Sequence, residues 1–406
     1  MTIVDEALLL GPQLSALRRT LHQIPELGLR LPQTQAVVLE QLAELDDIEI
    51  TTGRELDSVT VVLRGKARPD GPVVLLRGDM DALPVVEQTE VDYRSTNGCM
   101  HACGHDLHVA GLMGALRLLH ARRDELAGDV VFMFQPGEEG GGGAEVMLTE
   151  GVLDAAGRPV EAAYALHVAA SQLPRGHWAS RPGTCMAAAE DVRITLHGAG
   201  GHGSQPQEAK DPIPAIAELV TALQTRVTRE FDVFDPVVIT VGSLHAGTAS
   251  NIIPDDAHLV ATVRSLGPQT RERARRVIER VATGIATAHD VRAEFHWFDS
   301  YPATINDDTA YDLGVQVIRD LFGDDAFTER RTPEMGAEDF SFVLERVPGA
   351  YFFLGACPSD EPEGAPDNHS PRAAFDDSVL PYAAAWLAEM ALRRCGMASS
   401  AADPTA

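Results

Sequence analysis

Apolar residues recur at helical spacing over Leu9–Gln23 and Gln33–Leu45, then give way to short aliphatic runs at Val59–Leu63 and Val73–Leu76. Runs of that length, rich in Val and Leu, read as buried strands. The spacing next predicts a helix over His105–Arg122, a strand over Asp129–Phe134, a helix over Gly142–Glu150 and a strand over Ala162–Val168. Alternating helices and apolar strands predict an α/β domain, a mixed central sheet flanked by helices.

The order changes from Asp191 onward: strand Val192–His197, helix Pro212–Glu230, strands Val237–Leu244 and His258–Ser265, helix Arg271–His289, strand Val291–Phe298. That β-α-β-β-α-β succession is the signature of a ferredoxin-like α+β domain. Arg181-Pro182-Gly183 before it and Tyr301-Pro302 after it read as hinges. Beyond Asp307 the pattern resumes with two helices, a strand at Ala350–Leu354 and a final helix over Ser378–Arg394. The expected division is 1–182 and 301–406 as one α/β domain, with 183–300 inserted as a smaller satellite. No internal repeat is visible, and only the tail MASSAADPTA reads as low in complexity and frayed.

The 406 residues include 33 basic and 60 acidic side chains, a formal charge of -27. Such a balance repels phosphate backbones and anionic lipid, so neither nucleic acid nor membrane is an expected partner. Five scattered cysteines suit reduced thiols rather than a disulfide scaffold. The first residues lack a basic segment followed by a cleavage site, and no apolar run approaches the ~20 residues of a membrane span. The expectation is a soluble, cytoplasmic protein.

The polar residues that stand out follow strand ends: Arg77-Gly78-Asp79-Met80-Asp81, Gln135-Pro136-Gly137-Glu138-Glu139, His167, and Asn368-His369 after a Pro/Gly-rich loop. Open α/β sheets bind ligands beyond the carboxyl ends of their strands, and carboxylates with imidazoles there suit a divalent metal. Segment 98–108, GCMHACGHDLH, holds two thiols and three imidazoles just before a helix. Taken alone it reads either as a mixed Cys/His metal site or as a turn with ordinary buried His and Cys. A structural zinc site built on Cys pairs does not fit, because no second pair exists. Adjacent Glu138 and Glu139 can divide labour between metal binding and proton transfer, or simply be solvated acids at a helix start. His202, in the glycine-rich GAGGHGS loop, reads as a donor to a developing oxyanion or as a surface His. Neither a P-loop, nor G-x-S-x-G, nor G-x-G-x-x-G after a strand is found.

These segments resemble those of the metal-dependent amidohydrolases that include bacterial aminoacylases, hippurate hydrolases and plant indole-acetyl-amino-acid hydrolases. The matching stretches are LHQIPELGL (21–29), RGDMDALPV (77–85), GCMHACGHD (98–106), FQPGEEGGGGAEVML (134–148), ALHV (165–168), GAGGHGSQP (198–206), SNIIPDDAHLVATVRS (250–265), GAEDFSF (336–342) and NHSPRAAFDD (368–377). The resemblance implies a catalytic domain with a lid domain through which a homodimer forms. It implies two divalent ions per subunit, held by Cys103, His105, Glu139, His167 and His369. Glu138 would be the general base, Asp81 the acid that orients a ligand imidazole, and His202 the lid histidine that reaches the substrate carbonyl from the partner subunit. Asn251 and Arg264 would lie near the substrate carboxylate. The chain departs from the pattern at Gln207, where a second lid His is frequent, and at Asn368, where an apolar residue is usual.

The expected reaction is hydrolysis of an N-acyl or N-aroyl amino acid to a carboxylic acid and a free amino acid. Thiolate and imidazole favour zinc, while manganese, cobalt and nickel are admitted by the carboxylate. A metallo-dipeptidase or carboxypeptidase on the same fold is the near alternative, and a non-catalytic binding protein the distant one.

Overall fold

The computed structural model describes residues 1–298, 301–359 and 361–397. All of the tail read as frayed except Met397 lies outside them, as does the expected domain boundary at residue 300. The chain forms two compact units. One takes the described residues of Met1–Gly183, Ile305–Arg331 and Phe342–Ala406; the other takes those of Thr184–Thr304 and Thr332–Ser341. Sequence periodicity groups Thr332–Ser341 with the first unit. In the structure Ala187 and Glu334 exchange a backbone hydrogen bond of 2.9 Å, and Glu334 donates to Cys185 at 2.9 Å, so the segment belongs to the second.

The first unit is built on a mixed eight-stranded sheet, in the spatial order Glu49–Thr52, Val59–Arg64, Asp129–Gln135, Val73–Asp79, Ala162–Ala169, Gly349–Gly355, Trp178–Ser180 and Phe327–Glu329. The four central strands, from Asp129–Gln135 to Gly349–Gly355, run parallel. Each is buried almost throughout, so the continuous apolar runs in the sequence have both faces covered. Helices Ile3–His22, His105–Ala121 and Leu380–Gly396 pack on one another, with Leu14, Leu112, Leu116, Trp386 and Leu387 in the shared core. Close approach requires small residues there: a Cβ on Gly114 would lie 2.7 Å from that of Ala384.

The N-terminal helix begins at Ile3, six residues before the expected Leu9, because Thr2 and Asp5 form a reciprocal capping box there. Pro12 sits inside it. Sequence periodicity also missed the edge strand Glu49–Thr52, which is exposed along its whole length, and the three-residue strands Trp178–Ser180 and Phe327–Glu329.

The second unit contains a four-stranded antiparallel sheet in the order Val238–Ala246, Asp256–Ser265, Ala188–His197, Arg292–Trp297. Helices Pro212–Glu230 and Pro268–Ala288 complete the β-α-β-β-α-β order, and the sheet arrangement is that of a ferredoxin-like domain. Val192, Ile194, Leu196, Leu259 and Val263 of the sheet share a core with Ile216, Leu219, Leu223 and Ile278 of the helices. Asp211 caps the first helix by accepting from the Ile213 amide, with Pro212 in its first turn.

Candidate metal centre

Because the four central strands of the large sheet are parallel, their carboxyl ends share one edge. The strand from Val73 runs further than periodicity indicates, to Asp79, and His167 is a strand residue within the expected Ala162–Val168. Helix His105–Ala121 is drawn against this edge by two glycines. A Cβ on Gly78 would sit 2.9 Å from the His108 carbonyl oxygen. Gly104, at the helix start, has φ +82°, and a Cβ there would lie 2.4 Å from Val168 Cγ2. Only glycine combines that left-handed backbone with so close an approach. Cys103 and His105 are thereby set beside His167.

Six residues gather in three overlapping groups: Cys103, His105 and His167; Cys103, Glu139 and His369; His105, Glu138 and Glu139. Within each group the ligand-type atoms lie within 4.8 Å of one another. Cys103 Sγ is 3.3 Å from His167 Nε2 and 3.2 Å from His369 Nε2. Glu139 Oε1 is 3.2 Å from His369 Nε2 and 4.0 Å from His105 Nε2. Cys103, His105 and Glu138 are buried, Glu139 and His167 half-buried, His369 exposed.

The neighbours fix which nitrogens face inward. His105 Nδ1 lies 2.9 Å from the Asp81 carbonyl oxygen, and His167 Nδ1 lies 2.8 Å from that of Val168. A carbonyl only accepts, so both Nδ1 atoms donate and both Nε2 atoms are the ones turned to the centre, where a bound cation would take their lone pairs. Asp81 thus orients the imidazole through its backbone. Its carboxylate Oδ1 also lies 3.5 Å from His105 Nδ1, and the carboxylate accepts the amides of Glu138 and Glu139 at 3.0 Å each.

Behind them lies a buried set that sequence reasoning did not assemble. Arg77 Nη1 donates to Asp79 Oδ2 at 2.6 Å, and His108 Nδ1 donates to Asp79 Oδ1 at 2.5 Å. His108 Nε2 accepts the Val168 amide at 2.9 Å, which settles its tautomer. The available signal was the helical spacing of three between His105 and His108, which puts both on one face.

The electrostatics are those of a site that binds cations. Burial alone would raise the Cys103 thiol, but the imidazoles of His167, His105 and His369 hold it well below its ordinary range. Burial opposes charge on His105 and His167 too, yet Asp79 beside the first and Cys103 beside the second raise both. His369, beside Cys103 and Glu139, is pushed up to about 10, and burial raises Glu139. The donor set of one thiol, three imidazoles and a carboxylate fits divalent transition ions. Among the described residues the buried His105 Nε2 makes no hydrogen bond and Glu139 Oε1 meets only His369 Nε2, at 3.2 Å, and a cation between the two atoms would satisfy both.

On the far side of Asp106, Arg18 pairs with it at 2.7 Å, and His22 Nδ1 lies 2.8 Å from the same oxygen. His22 Nε2 faces Glu87 at 3.2 Å. Burial disfavours charge on His22, but the two carboxylates raise its pKa. His101, wholly buried nearby, has no hydrogen-bond partner on either ring nitrogen among the described residues, and burial holds it down at about 3.

His202, Asn251 and Arg264 lie in the second unit. His202 belongs to a two-residue strand paired with Ile252–Ile253, and the Gly203 amide donates to the Asn251 carbonyl at 2.9 Å, so these two are neighbours. His202 is exposed, and its Nδ1 accepts the Ser204 amide at 3.1 Å, which leaves Nε2–H as an outward donor. Arg264 is half-buried on Asp256–Ser265, opposite Val238 and Ala189. Gln207 is exposed in the short turn Pro206–Glu208.

A mixed sheet flanked by helices, with thiol, imidazole and carboxylate side chains gathered at its carboxyl edge, is the setting of a metal-binding α/β protein. The chain belongs to peptidase family M20/M25/M40, which matches residues 75–393, and it is an enzyme, a metal-dependent amidohydrolase. It is similar to thermostable carboxypeptidase 1 of Saccharolobus solfataricus, 37% identical with 90% of this chain and 91% of that one covered. It is likewise similar to IAA-amino acid hydrolase ILR1-like 2 of Arabidopsis thaliana, at 38% identity over 93% and 84%. Among solved structures it resembles the Bacillus subtilis YXEP protein, described as a dinuclear metal binding peptidase, with TM-score 0.80, 32% identity and 95% and 98% coverage.

Proposed function

We propose that the protein hydrolyses the amide bond of N-acyl or N-aroyl amino acids, releasing a carboxylic acid and a free amino acid. The observation that carries this reading is the placing of Glu138 within 4.8 Å of His105 and Glu139, at the edge of the five-residue ligand cluster. Two divalent cations, zinc foremost, held by Cys103, His105, Glu139, His167 and His369, would supply Lewis acidity to the scissile carbonyl and acidify the attacking water. Glu138 takes the proton of that water as the carbon–oxygen bond forms, and returns it to nitrogen as the carbon–nitrogen bond breaks. Asp81 holds the peptide amide of this base in place. In the expected homodimer, His202 of the partner subunit would donate its Nε2–H to the carbonyl oxygen as it gains charge. Asn251 and Arg264 hold the substrate carboxylate. The homodimer expected through the second unit and a cytoplasmic location belong to the same proposal. Support for the location comes from the five free thiols.

A peptidase reading, with an aminoacyl group in place of the acyl group, draws support from the carboxypeptidase relative. Both readings share the Glu138 step. In a Glu138→Gln variant that still binds metal, kcat is expected to fall by about 10²–10⁴-fold. Turnover at the wild-type rate with metal retained would contradict the assignment of Glu138.

A further inference from the structure

Asn368 immediately precedes His369, whose backbone is left-handed with φ +68°, a conformation that L side chains rarely adopt. The carboxamide of Asn368 is fully engaged. Its Oδ1 accepts the Ala170 amide at 2.8 Å, and its Nδ2 donates to the Val168 carbonyl at 3.0 Å and the Cys103 carbonyl at 3.2 Å. Nδ2 has only two hydrogens, so the one directed at the Cys103 carbonyl is shared with Cys103 Sγ, 3.8 Å from the same nitrogen. One planar group therefore ties together the segments bearing Cys103, His167 and His369. Two further bonds hold its own backbone in place: the Asn368 amide donates to Asp367 Oδ1 at 3.0 Å, and the His369 amide donates to the Ala102 carbonyl at 2.9 Å.

We propose that Asn368 is a positioning residue of the metal centre, which clamps these three segments in register and supplies an N–H to the Cys103 thiolate. The inference rests on the reading of Cys103, His167 and His369 as metal ligands. Hydrogen-bonded partners of this kind orient ligands and set the electron density they give to the metal. An N–H directed at sulfur withdraws density from it, so the sulfur-to-metal charge-transfer transition moves to higher energy. An apolar side chain at 368 would leave two buried carbonyls and the thiolate without this donor.

The test uses full-length enzyme, chelated and reloaded with cobalt(II), as wild type, Asn368→Leu, Asn368→Asp and Cys103→Ala. The wild type is expected to show a thiolate-to-cobalt charge-transfer band that Cys103→Ala lacks. Asn368→Leu should move that band to longer wavelength and weaken cobalt binding by about 10–100-fold, the usual effect of losing an outer partner. Asn368→Asp keeps the acceptor for the Ala170 amide but turns an oxygen toward two carbonyls and the sulfur. It should shift the band the same way, and it decides the matter if the leucine variant does not fold. A band at the wild-type position with cobalt affinity within about threefold of wild type overturns the role of Asn368 and leaves Cys103 a ligand, even if the metal-free variants melt at lower temperature. A wild type without the band, or a band that survives in Cys103→Ala, overturns the ligand reading and this proposal with it.

Discussion

His105 and His167 each give their Nδ1 proton to a backbone carbonyl, so their inward nitrogens are selected by the fold and need no cation to orient them. His101 has the opposite circumstance: it is buried with neither nitrogen partnered among the described residues. Its pKa is about 3 in the folded chain, against ~6.5 in an unfolded one. Between these values the unfolded chain binds a proton that the folded one excludes, so stability falls as pH falls through that window. The wild type should therefore lose several degrees more in melting temperature between about pH 7 and about pH 5 than His101→Gln does. Parallel curves for the two proteins would show that a neutral buried His101 is not a source of acid sensitivity. At this scale the sequence carried the ligand-type residues plainly, since Cys103-x-His105 and Glu138-Glu139 are local patterns. It did not carry the clamp made by Asn368, the Arg77–Asp79–His108 set or the unpartnered His101, because those arise from segments that meet only in the folded chain.

Long helices and the central strands were legible because one period persists over many residues. The site depends on where those elements stop, and there local pattern was weaker. Strand Val73–Asp79 carries its order to Asp79 because Arg77 and Asp79, though charged, are buried and paired with one another. An apolar-run criterion ends that strand at Leu76. Gly104 is the matching feature on the helix side. A Gly104→Ala substitution adds a methyl group 2.4 Å from Val168 Cγ2 at a backbone φ of +82°, so strain and overlap add. The expected result is a loss of more than ~1 kcal/mol in stability, read by denaturant unfolding, together with weaker metal binding as Cys103 and His167 move apart. Unchanged metal affinity in this variant would mean that the helix start does not set the ligand spacing.

Across the whole molecule there are two cores: one under a large sheet whose carboxyl edge gathers the ligand cluster, and one under a smaller antiparallel sheet that carries Arg264, in the unit that also holds His202 and Asn251 at a separate two-stranded pair. The formal charge of -27 opposes approach of an anionic substrate at long range, and bound cations reverse the sign of the field locally. The account is tested most directly by amino-acid release from a panel of N-acetyl, N-benzoyl and indole-acetyl amino acids and dipeptides. Each substrate would be measured before chelation, after it, and after zinc, manganese, cobalt or nickel is restored. Release from acyl or aroyl amino acids that chelation abolishes and metal restores is the expected result, and a preference for dipeptides would favour the peptidase reading instead. Hydrolysis that persists in metal-stripped enzyme, or no release from any substrate with two ions bound per chain, would contradict the account.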